Sequence, residues 1–383
     1  MSGAGPGGSG AVPRILHLHA TFDAGAKEQR TVRLINAIGK SSRNAIVSGD
    51  PARRGAAAGL TRGVHVTWPV FPPMRGAPWP GKLKALAAAM AGYDLICTYN
   101  WGAINAAFAH TLFADVFRLP PLVHHEDGSG EDEAGGLTLR RNYFRRIALG
   151  RTAALVVPSR ALERIALGAW AQPRARVRLI PDGIQTAAFA RKPRPDALVG
   201  LIKHRGELWV GTLAPLRAEE GLPALVRACR NLPEAWQLVI AGEGPERAAI
   251  VAEAEACGIE DRVHLPGAVA DPAKAAGLFD LFALSSHAEQ DPRAVVEAMA
   301  AGLAVVAPRV GEIGALVASE NGPYLAAPGD EAALSAALAA LAADPEARHR
   351  IGEANRARAR SEFDESRMIE RYRALYWGLL GRR

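Results

Sequence analysis

The chain has little cysteine and no long apolar run, and each absence narrows the class of protein. Three cysteines, Cys97, Cys229 and Cys257, share no metal-ligand spacing among the 383 residues. This usage is typical of reduced thiols with a core role rather than of a disulfide framework or a zinc site. No stretch approaches the ~18 consecutive apolar residues of a membrane-spanning helix. Residues 1–12 are rich in glycine and serine and lack the apolar segment of a signal peptide, so we expect a flexible tail there.

Two other absences exclude whole function classes. No GxGxxG followed by an acidic residue at a second strand end is present, which argues against a nicotinamide dehydrogenase. The net charge of +7 is dispersed along the chain, without a platform of stacking aromatic residues, so we expect no nucleic-acid partner. The positive charge still favours an anionic partner, such as a nucleotide or a membrane surface.

What the chain does contain is an alternation of short apolar runs and amphipathic segments from about Arg14 onward. This pattern is typical of parallel sheets covered by helices on both faces. It breaks at a polar, proline-bearing stretch over 191–206, which we interpret as a linker. We therefore predict an α/β protein with an N-terminal domain over 13–190, a C-terminal domain over 207–361 and a final helical segment over 362–383.

Two carboxylates follow the buried strand predicted over 281–284. Glu289 lies in the loop after this strand, and Glu297 lies a little over one turn into the next helix. Asp291 is a suitable N-cap for that helix, and Pro292 suits its first turn. Carboxylates accept hydrogen bonds from vicinal hydroxyls, and a helix N-terminus suits a phosphate. At the carboxyl end of a strand, where open α/β sheets bind ligands, this pattern favours a sugar joined to a phosphate.

Ionisable residues also end a predicted strand of the first half, in the run His124, His125, Glu126 and Asp127. Burying such groups without partners is costly. We therefore expect them either at the mouth of a cleft or in a satisfied hydrogen-bond network.

Three other segments of the first half carry candidate binding residues. A small-residue turn with Gly25, just before Lys27, can bring backbone N–H groups close to an anion, although a plain strand–helix turn fits equally well. Asn100 and Trp101 end another strand and can line a pocket, but Asn100 is an equally good helix cap. The basic helix after residue 138 suits anionic lipid or a charged acceptor, and the alternative is a solvated helix face. Its candidate contact residues are Arg140, Arg141 and Arg145.

The spacing of Glu289 and Glu297, followed by the residues EAMAAGLAVV over 297–306, resembles the retaining GT-B glycosyltransferases of family 4. Supporting matches lie at 239–245 and 180–184, and the resemblance extends over about 15–376. It implies two Rossmann-like domains facing across a cleft, with the C-terminal helix packing back on the N-terminal domain. It also implies transfer of a sugar from a nucleotide donor to an acceptor hydroxyl, with retention and without a metal or cofactor, the nucleotide sugar being a co-substrate. The chain has no Asp-x-Asp motif to hold a metal on a diphosphate.

The resemblance also implies roles for single residues. Glu297 corresponds to the glutamate that holds the donor ribose, and Glu289 to the one that contacts the donor sugar. The backbone at Gln290 and Asp291 is expected to bind sugar hydroxyls, with the adjacent Pro292 offering no N–H. His125 is favoured as the first-domain residue at the donor sugar, with His124 as the neighbouring match. A shift of one or two residues brings Glu126 or Asp127 to that place instead.

The diphosphate site departs from the family pattern. Arg217 matches the expected arginine, but Glu220 stands where the family has a lysine. Lys27 offers a cation that can compensate, beside Gly25 in a turn with one glycine where two are usual. Gly267 begins the stretch expected to contact the nucleotide base.

These features predict a hexosyl-transferring enzyme that acts on a glycan or lipid acceptor of the cell envelope. Because nucleotide sugars are cytosolic, we expect a cytoplasmic protein with peripheral contact to the inner face of the cytoplasmic membrane. The alternative is a GT-B-like scaffold that binds nucleotide sugar with little or no turnover, which is motivated by Glu220.

Overall fold

The computed structural model describes residues 12–128, 138–287 and 292–381. The chain divides into two compact units, Met1–Asp182 with Met368–Arg383, and Gly183–Arg367. The first boundary between the units, after Asp182, thus precedes the linker predicted over 191–206. The second lies inside the last helix, so that the end of the chain belongs to the first unit.

Seven parallel strands form the sheet of the first unit, in the order β3-β2-β1-β4-β5-β6-β7. Their side chains are mostly buried, as expected for a parallel sheet covered on both faces. The order changes direction between β1 and β4, and the carboxyl ends of those two strands define a switch point where such sheets bind ligands. The strands are β1 (Arg14–His19), β2 (Arg43–Ser48), β3 (His65–Thr67), β4 (Leu95–Tyr99), β5 (Leu122–His125), β6 (Ala154–Val157) and β7 (Val177–Leu179).

Helices connect these strands. They are α1 (Ala26–Ile38), α2 (Pro80–Met90), α3 (Ile104–Phe117), α4 (Leu139–Ala148) and α5 (Arg160–Leu167). The last helix of the chain, Glu365–Leu379, returns to this unit. Its buried residues Met368, Tyr372 and Tyr376 pack in one apolar cluster with Ile15 of β1 and Cys97 of β4. The predicted packing of the C-terminal helix on the N-terminal domain is confirmed.

The second unit has six parallel strands in the order β10-β9-β8-β11-β12-β13, with the switch point between β8 and β11. Its strands are β8 (Leu208–Leu213), β9 (Trp236–Ala241), β10 (Val263–His264), β11 (Leu281–Ala283), β12 (Val305–Pro308) and β13 (Leu325–Ala326). Its helices are α6 (Thr186–Phe189), α7 (Leu222–Cys229), α8 (Arg247–Cys257), α9 (Pro272–Ala275), α10 (Arg293–Ala301), α11 (Ile313–Leu316), α12 (Glu331–Ala343) and α13 (Pro345–Glu362). The last helix, Glu365–Leu379, is α14. Across the described ranges, no helix combines the length and apolarity needed to cross a bilayer.

The helix predicted from Pro292 is confirmed as α10, with Pro292 as its N-cap rather than its first residue. Gly302 ends it in the left-handed conformation, at φ +82°. A Cβ on this glycine would come within 2.2 Å of the Arg356 guanidinium, so both the backbone and the space favour glycine.

A pair of buried asparagines joins α13 to the loops around β12. The Asn355 Nδ2 donates to the carbonyl of Leu303 at 2.9 Å and to Asn321 Oδ1 at 2.8 Å, and its Oδ1 accepts from the N–H of Ala318 at 2.9 Å. Asn321 bonds both backbone groups of Val305. Because buried backbone groups need partners, these two amides supply the partners for backbone groups of Leu303, Val305 and Ala318.

Replacement of Asn355 by leucine tests this network. The substitution leaves the Ala318 N–H and the Leu303 carbonyl unpaired, and each unsatisfied buried group costs about 1–3 kcal/mol. We expect urea unfolding of the full chain to show a loss of about 2–5 kcal/mol. Asn231→Leu, at an exposed asparagine, is the matched control and should stay within about 0.5 kcal/mol of the wild type. Equal losses in the two variants would contradict the role given to Asn355.

Candidate functional site

Three strand ends of the first unit are joined around the side chain of Arg30, a residue of α1 that is 1% exposed. Its guanidinium donates to Asp127 Oδ1 at 2.6 Å and to Asp182 Oδ1 at 2.7 Å. Asp127 follows β5, and Asp182 follows β7. Asn100, which follows β4, accepts a hydrogen bond from the N–H of Asp127 at 2.9 Å. The cluster lies where the carboxyl ends of parallel strands meet, the usual ligand edge of such a sheet.

The charges of this cluster act on Asp127 in opposite directions. Burial raises the pKa of the Asp127 carboxyl, the Arg30 guanidinium offsets part of that rise, and the Asp182 carboxylate adds to it. Asp127 is therefore a carboxylate whose ionisation depends on its partners.

Several buried polar atoms at this edge have no hydrogen-bond partner among the described residues. They include both ring nitrogens of His19, which ends β1, and Oδ2 of Asp127. Glu126 Oε1 and His124 Nε2 share this property. Buried polar groups are normally paired, and each exception calls for an explanation. Their concentration at one edge of the sheet indicates a site for a polar ligand.

His125 lies in the interior of the first unit. Its ring stacks on Tyr99 at a centroid distance of 4.4 Å, and Tyr99 stacks on His19 at 3.9 Å. The Nδ1–H of His125 donates to the Thr98 carbonyl at 3.2 Å, and its Nε2 accepts from the Tyr376 hydroxyl at 2.9 Å.

The buried position of His125 corrects the preference for it as the sugar contact, because a side chain packed and bonded on all sides offers no surface. His124 and Glu126 are buried as well. Of the four sequence candidates, Asp127 alone is partly exposed, with 21% of its side chain accessible. We therefore take Asp127 as the candidate.

The turn before α1 is built around Gly25. A Cβ there would lie 2.5 Å from Glu28 Oε2, so glycine allows the Glu28 carboxylate to fold over the helix start. Lys27 Nζ lies 3.6 Å from Glu28 Oε1. Burial raises the pKa of Glu28, and the Lys27 ammonium opposes that rise. The turn thus brings Lys27 to the ligand edge, with its charge partly matched by Glu28.

Trp101 lies between the switch point and α4. The guanidinium carbon of Arg141 is 4.9 Å from the centre of its ring, and that of Arg145 is 5.0 Å away. Arg145 is buried, stacks on Trp170 as well, and donates through Nε to Glu126 Oε2 at 3.1 Å. Arg145 as an acceptor or membrane contact stays a prediction, which its burial beside Glu126 and the two indole rings does not favour.

The outer face of α4 carries an apolar stripe instead. Leu139, Tyr143 and Ile147 are 88%, 65% and 42% exposed. Their spacing of four residues places them on one side of the helix. Arg140 is exposed beside them, whereas Arg141 is half-buried.

In the second unit, Glu297 lies one turn into α10 and is 5% exposed. The Nε of Arg293 donates to Glu297 Oε1 at 2.8 Å, so the buried carboxylate is held by a cation on the same helix. The residues predicted at the donor sugar, Glu289, Gln290 and Asp291, lie outside the described residues.

Glu220, in the loop after β8, is tied to the loop after β11. Ser286 Oγ donates to Glu220 Oε2 at 2.6 Å, and Ser285 Oγ donates to the Glu220 carbonyl at 2.8 Å. Arg217 is well exposed, 3.8 Å from Glu219 Oε1. Glu220 thus links the two loops at the switch point, and Arg217 projects from this loop.

Gly267, the residue expected near the base, has φ +88°. A Cβ at this position would approach Glu243 Oε1 to 2.9 Å, so the turn after β10 needs glycine.

Comparison with protein families assigns both halves of the chain. Residues 28–188 match the model described as Glycosyltransferase Family 4, and residues 202–358 match the model described as Glycosyl transferases group 1. The chain belongs to the GT-B glycosyltransferases of group 1 and family 4. The chain has the two Rossmann-like domains that the resemblance implied.

Two curated relatives show how far the similarity reaches. An N-acetyl-alpha-D-glucosaminyl L-malate synthase of Bacillus anthracis is 28% identical over 144 residues, 38% of this chain and 38% of that protein. A D-inositol 3-phosphate glycosyltransferase of Xylanimonas cellulosilytica is 32% identical over 201 residues, 48% of this chain and 47% of that protein. The match thus spans less than half the length of either relative.

Among solved structures, HepE of Anabaena in complex with UDP has a TM-score of 0.75 at 19% identity. The alignment covers 95% of this chain and all of the other chain. At this identity, it shows that the two proteins share a fold and shows nothing beyond that.

Arg30, Asp182 and Ser286 were not predicted as site residues from the sequence. A signal existed for Arg30, which precedes Leu34 by four residues and Ile38 by eight, and so falls on the apolar face of α1. A charged residue on such a face must find buried partners. Which carboxylates would supply them could not be read from the local sequence.

The buried histidines make stability depend on pH. Burial lowers the pKa of His17 to about 4, with the hydrogen bond to Asn44 opposing the shift. Below about pH 6.5, His17 therefore binds a proton in the unfolded chain but stays neutral in the folded chain. The stability of the folded state falls as the pH falls. Relative to pH 8, we expect His17 alone to subtract about 3 kcal/mol at pH 4.

A His17→Gln variant isolates this effect in urea unfolding between pH 8 and pH 4. The variant lacks the titrating ring, so the stability of the wild type should fall more steeply than that of the variant. A constant difference between the two proteins across this range would argue against a neutral, buried His17.

Proposed function

We propose that this glycosyltransferase moves a hexosyl group from a nucleotide sugar to an acceptor hydroxyl, with retention at the anomeric carbon and without a metal or cofactor. The observation that carries the proposal is the buried Glu297 on α10, beside the β8–β11 switch point, within the family-matched region 202–358. A buried carboxylate at that edge is suited to accept hydrogen bonds from vicinal hydroxyls, such as those of a ribose. The fold is also shared with a protein that binds UDP.

In this proposal the two units have separate tasks. Glu297 binds the donor ribose, and Glu289 contacts the transferred sugar. The start of α10 faces the diphosphate with its positive dipole end, and Arg217 adds a cation. In the first unit Asp127 contacts a substrate hydroxyl at the ligand edge of the sheet. Retaining transfer on this fold needs no strong general base, since the departing phosphate can take the acceptor proton.

A thermal-shift screen with UDP-, GDP-, ADP- and dTDP-linked glucose tests the donor site. We expect one nucleotide to stabilise the protein, and Glu297→Gln to weaken its binding about 10–100-fold, because a charge-assisted hydrogen bond is worth roughly 1.5–3 kcal/mol. Glu255→Gln, an exposed glutamate on α8, is the matched control. Glu289→Ala should abolish transfer. Unchanged nucleotide affinity in Glu297→Gln would refute the ribose assignment.

We further propose a cell-envelope acceptor carried by an anionic membrane, with the outer face of α4 as the contact. The stripe of Leu139, Tyr143 and Ile147 beside the exposed Arg140 combines apolar surface with positive charge. Such a surface suits the headgroup region of an anionic bilayer. The enzyme would then work in the cytoplasm, at the inner face of the membrane.

Vesicle sedimentation tests the α4 surface. We expect the protein to bind vesicles of phosphatidylglycerol better than those of phosphatidylcholine, and the double variant Arg140→Glu, Tyr143→Asp to lose at least about tenfold in affinity. Arg62→Glu, at an exposed arginine outside α4, should change little. Equal binding by both variants, or none by the wild type, would instead favour a small soluble acceptor, such as the malate or inositol phosphate in the relatives' names.

A second candidate function is a scaffold that binds nucleotide sugar without turnover. The observation that favours it is Glu220, whose carboxylate is fixed by Ser286 in the diphosphate loop, where negative charge opposes phosphate. Specific nucleotide-sugar binding without any release of nucleotide would support this candidate over the transferase.

A further inference from the structure

We propose that Arg30 is a positioning residue, which holds Asp127 by one carboxylate oxygen so that the other accepts a hydrogen bond from a substrate hydroxyl. The contact with substrate rests on the proposed function. The positioning itself rests on the geometry of the first unit.

Arg30 bridges two carboxylates. Arg30 is almost fully buried, and its planar guanidinium uses two different nitrogens, NH2 for Asp127 and NH1 for Asp182. Two N–H groups in a fixed fork define the place of both carboxylates. A lysine has one point charge and cannot fix them in the same way.

The two carboxylates differ in their exposure to solvent. The Asp182 side chain is 46% exposed, so water solvates it, whereas the Asp127 side chain is 21% exposed. Asp127 Oδ2 is buried and has no hydrogen-bond partner among the described residues. One guanidinium facing two carboxylates leaves an excess of negative charge, and that excess is least solvated at Asp127. A hydroxyl donor is the neutral partner that satisfies such an oxygen.

Charges from several elements face Asp127. Arg30 attracts it from α1, and Asp182 after β7 and the adjacent Glu126 repel it. Glu28 of α1 and Tyr372 of α14 also interact with it electrostatically. Removal of Asp182 and weakening of Arg30 must therefore move the protonation of Asp127 in opposite directions. A bridge that served stability alone would not require this response to appear in turnover.

The test compares Arg30→Lys and Asp182→Asn, each with and without Asp127→Asn. Because burial raises the Asp127 pKa above its unfolded value, its ionisation subtracts stability as the pH rises between the two values. Urea unfolding from pH 3 to pH 8 thus reports the folded-state pKa of Asp127, without any need for turnover. We expect Asp182→Asn to lower that pKa and Arg30→Lys to raise it, each about tenfold in proton affinity.

The second readout is UDP release from UDP-glucose, or from whichever nucleotide sugar stabilises the protein. The acid limb of the pH–rate profile should move in the same two directions. In Arg30→Lys we expect kcat to fall at least about tenfold while nucleotide affinity, measured by calorimetry, stays unchanged. Asp115→Asn removes an exposed carboxylate that is paired with Arg151 in the same unit, and so controls for the loss of a surface ion pair. It should change neither the pKa of Asp127 nor the acid limb of the pH–rate profile.

The outcomes are distinct. Opposite pKa shifts together with a slow Asp127→Asn variant would support the inference. Unshifted pKa values in Asp182→Asn, which at an exposed site should fold normally, would overturn the positioning. Full turnover in Asp127→Asn would overturn the substrate contact. Absence of turnover in the wild type would refute the proposed function and the substrate contact with it, while the stability measurement would still decide the positioning.

Discussion

The direction of the strands is the constraint on which both units depend. In a parallel sheet every strand ends at the same edge, so the chain delivers the residue after each strand to one line. Asn100, Asp127 and Asp182 are distant in sequence yet lie together because they follow β4, β5 and β7. In the second unit the same rule brings the loop with Glu220 to the loop with Ser286. The chemistry of each unit is therefore a property of its strand ends.

Burial then decides which charges stay available at these edges. Two arginines of the first unit, Arg30 and Arg145, are buried, and each has a carboxylate partner, as a buried charge requires. Three buried histidines avoid an unpaired buried charge by staying neutral, since burial lowers the pKa of His17, His19 and His125. A cation or an imidazole that is buried in the interior cannot also bind a ligand at the surface. Asp127 differs from these groups because Arg30 satisfies only one of its two carboxylate oxygens.

These facts explain how far sequence could predict the structure. The two-unit α/β fold and α10 follow from local signals: apolar runs, a proline at the helix start and a glycine after its end. The orientation of α4 does not follow from such local signals. Its sequence offers two apolar stripes, and the pattern alone could not show that Phe144 and Ala148 face the core while Leu139, Tyr143 and Ile147 face outward. The burial of Arg145 could not be predicted for the same reason.

The candidate site residues also divide into those that local sequence predicts and those that it does not. The position of Glu297 on a helix near a strand end could be predicted, because it depends on spacing within one short segment. The pairing of Arg30 with Asp127 and Asp182 could not, because it joins residues 97 and 152 positions apart. Long-range pairings decide which member of an ionisable run meets solvent. For the run 124–127 they select the residue that ends it.

Glu220 shows the effect of such a pairing in the loop that we propose to lie at the diphosphate. Its carboxylate is bonded by Ser286 and its carbonyl by Ser285, so the position at which the resemblance implies a lysine instead fixes one loop to another. Arg217 on the same loop faces Glu219 at 3.8 Å, which leaves the three ionised side chains with a net negative charge. Within this loop there is thus no surplus of positive charge for a leaving diphosphate. In the proposed transferase, backbone N–H groups and the dipole at the start of α10 therefore help Arg217 to balance the charge of the leaving diphosphate.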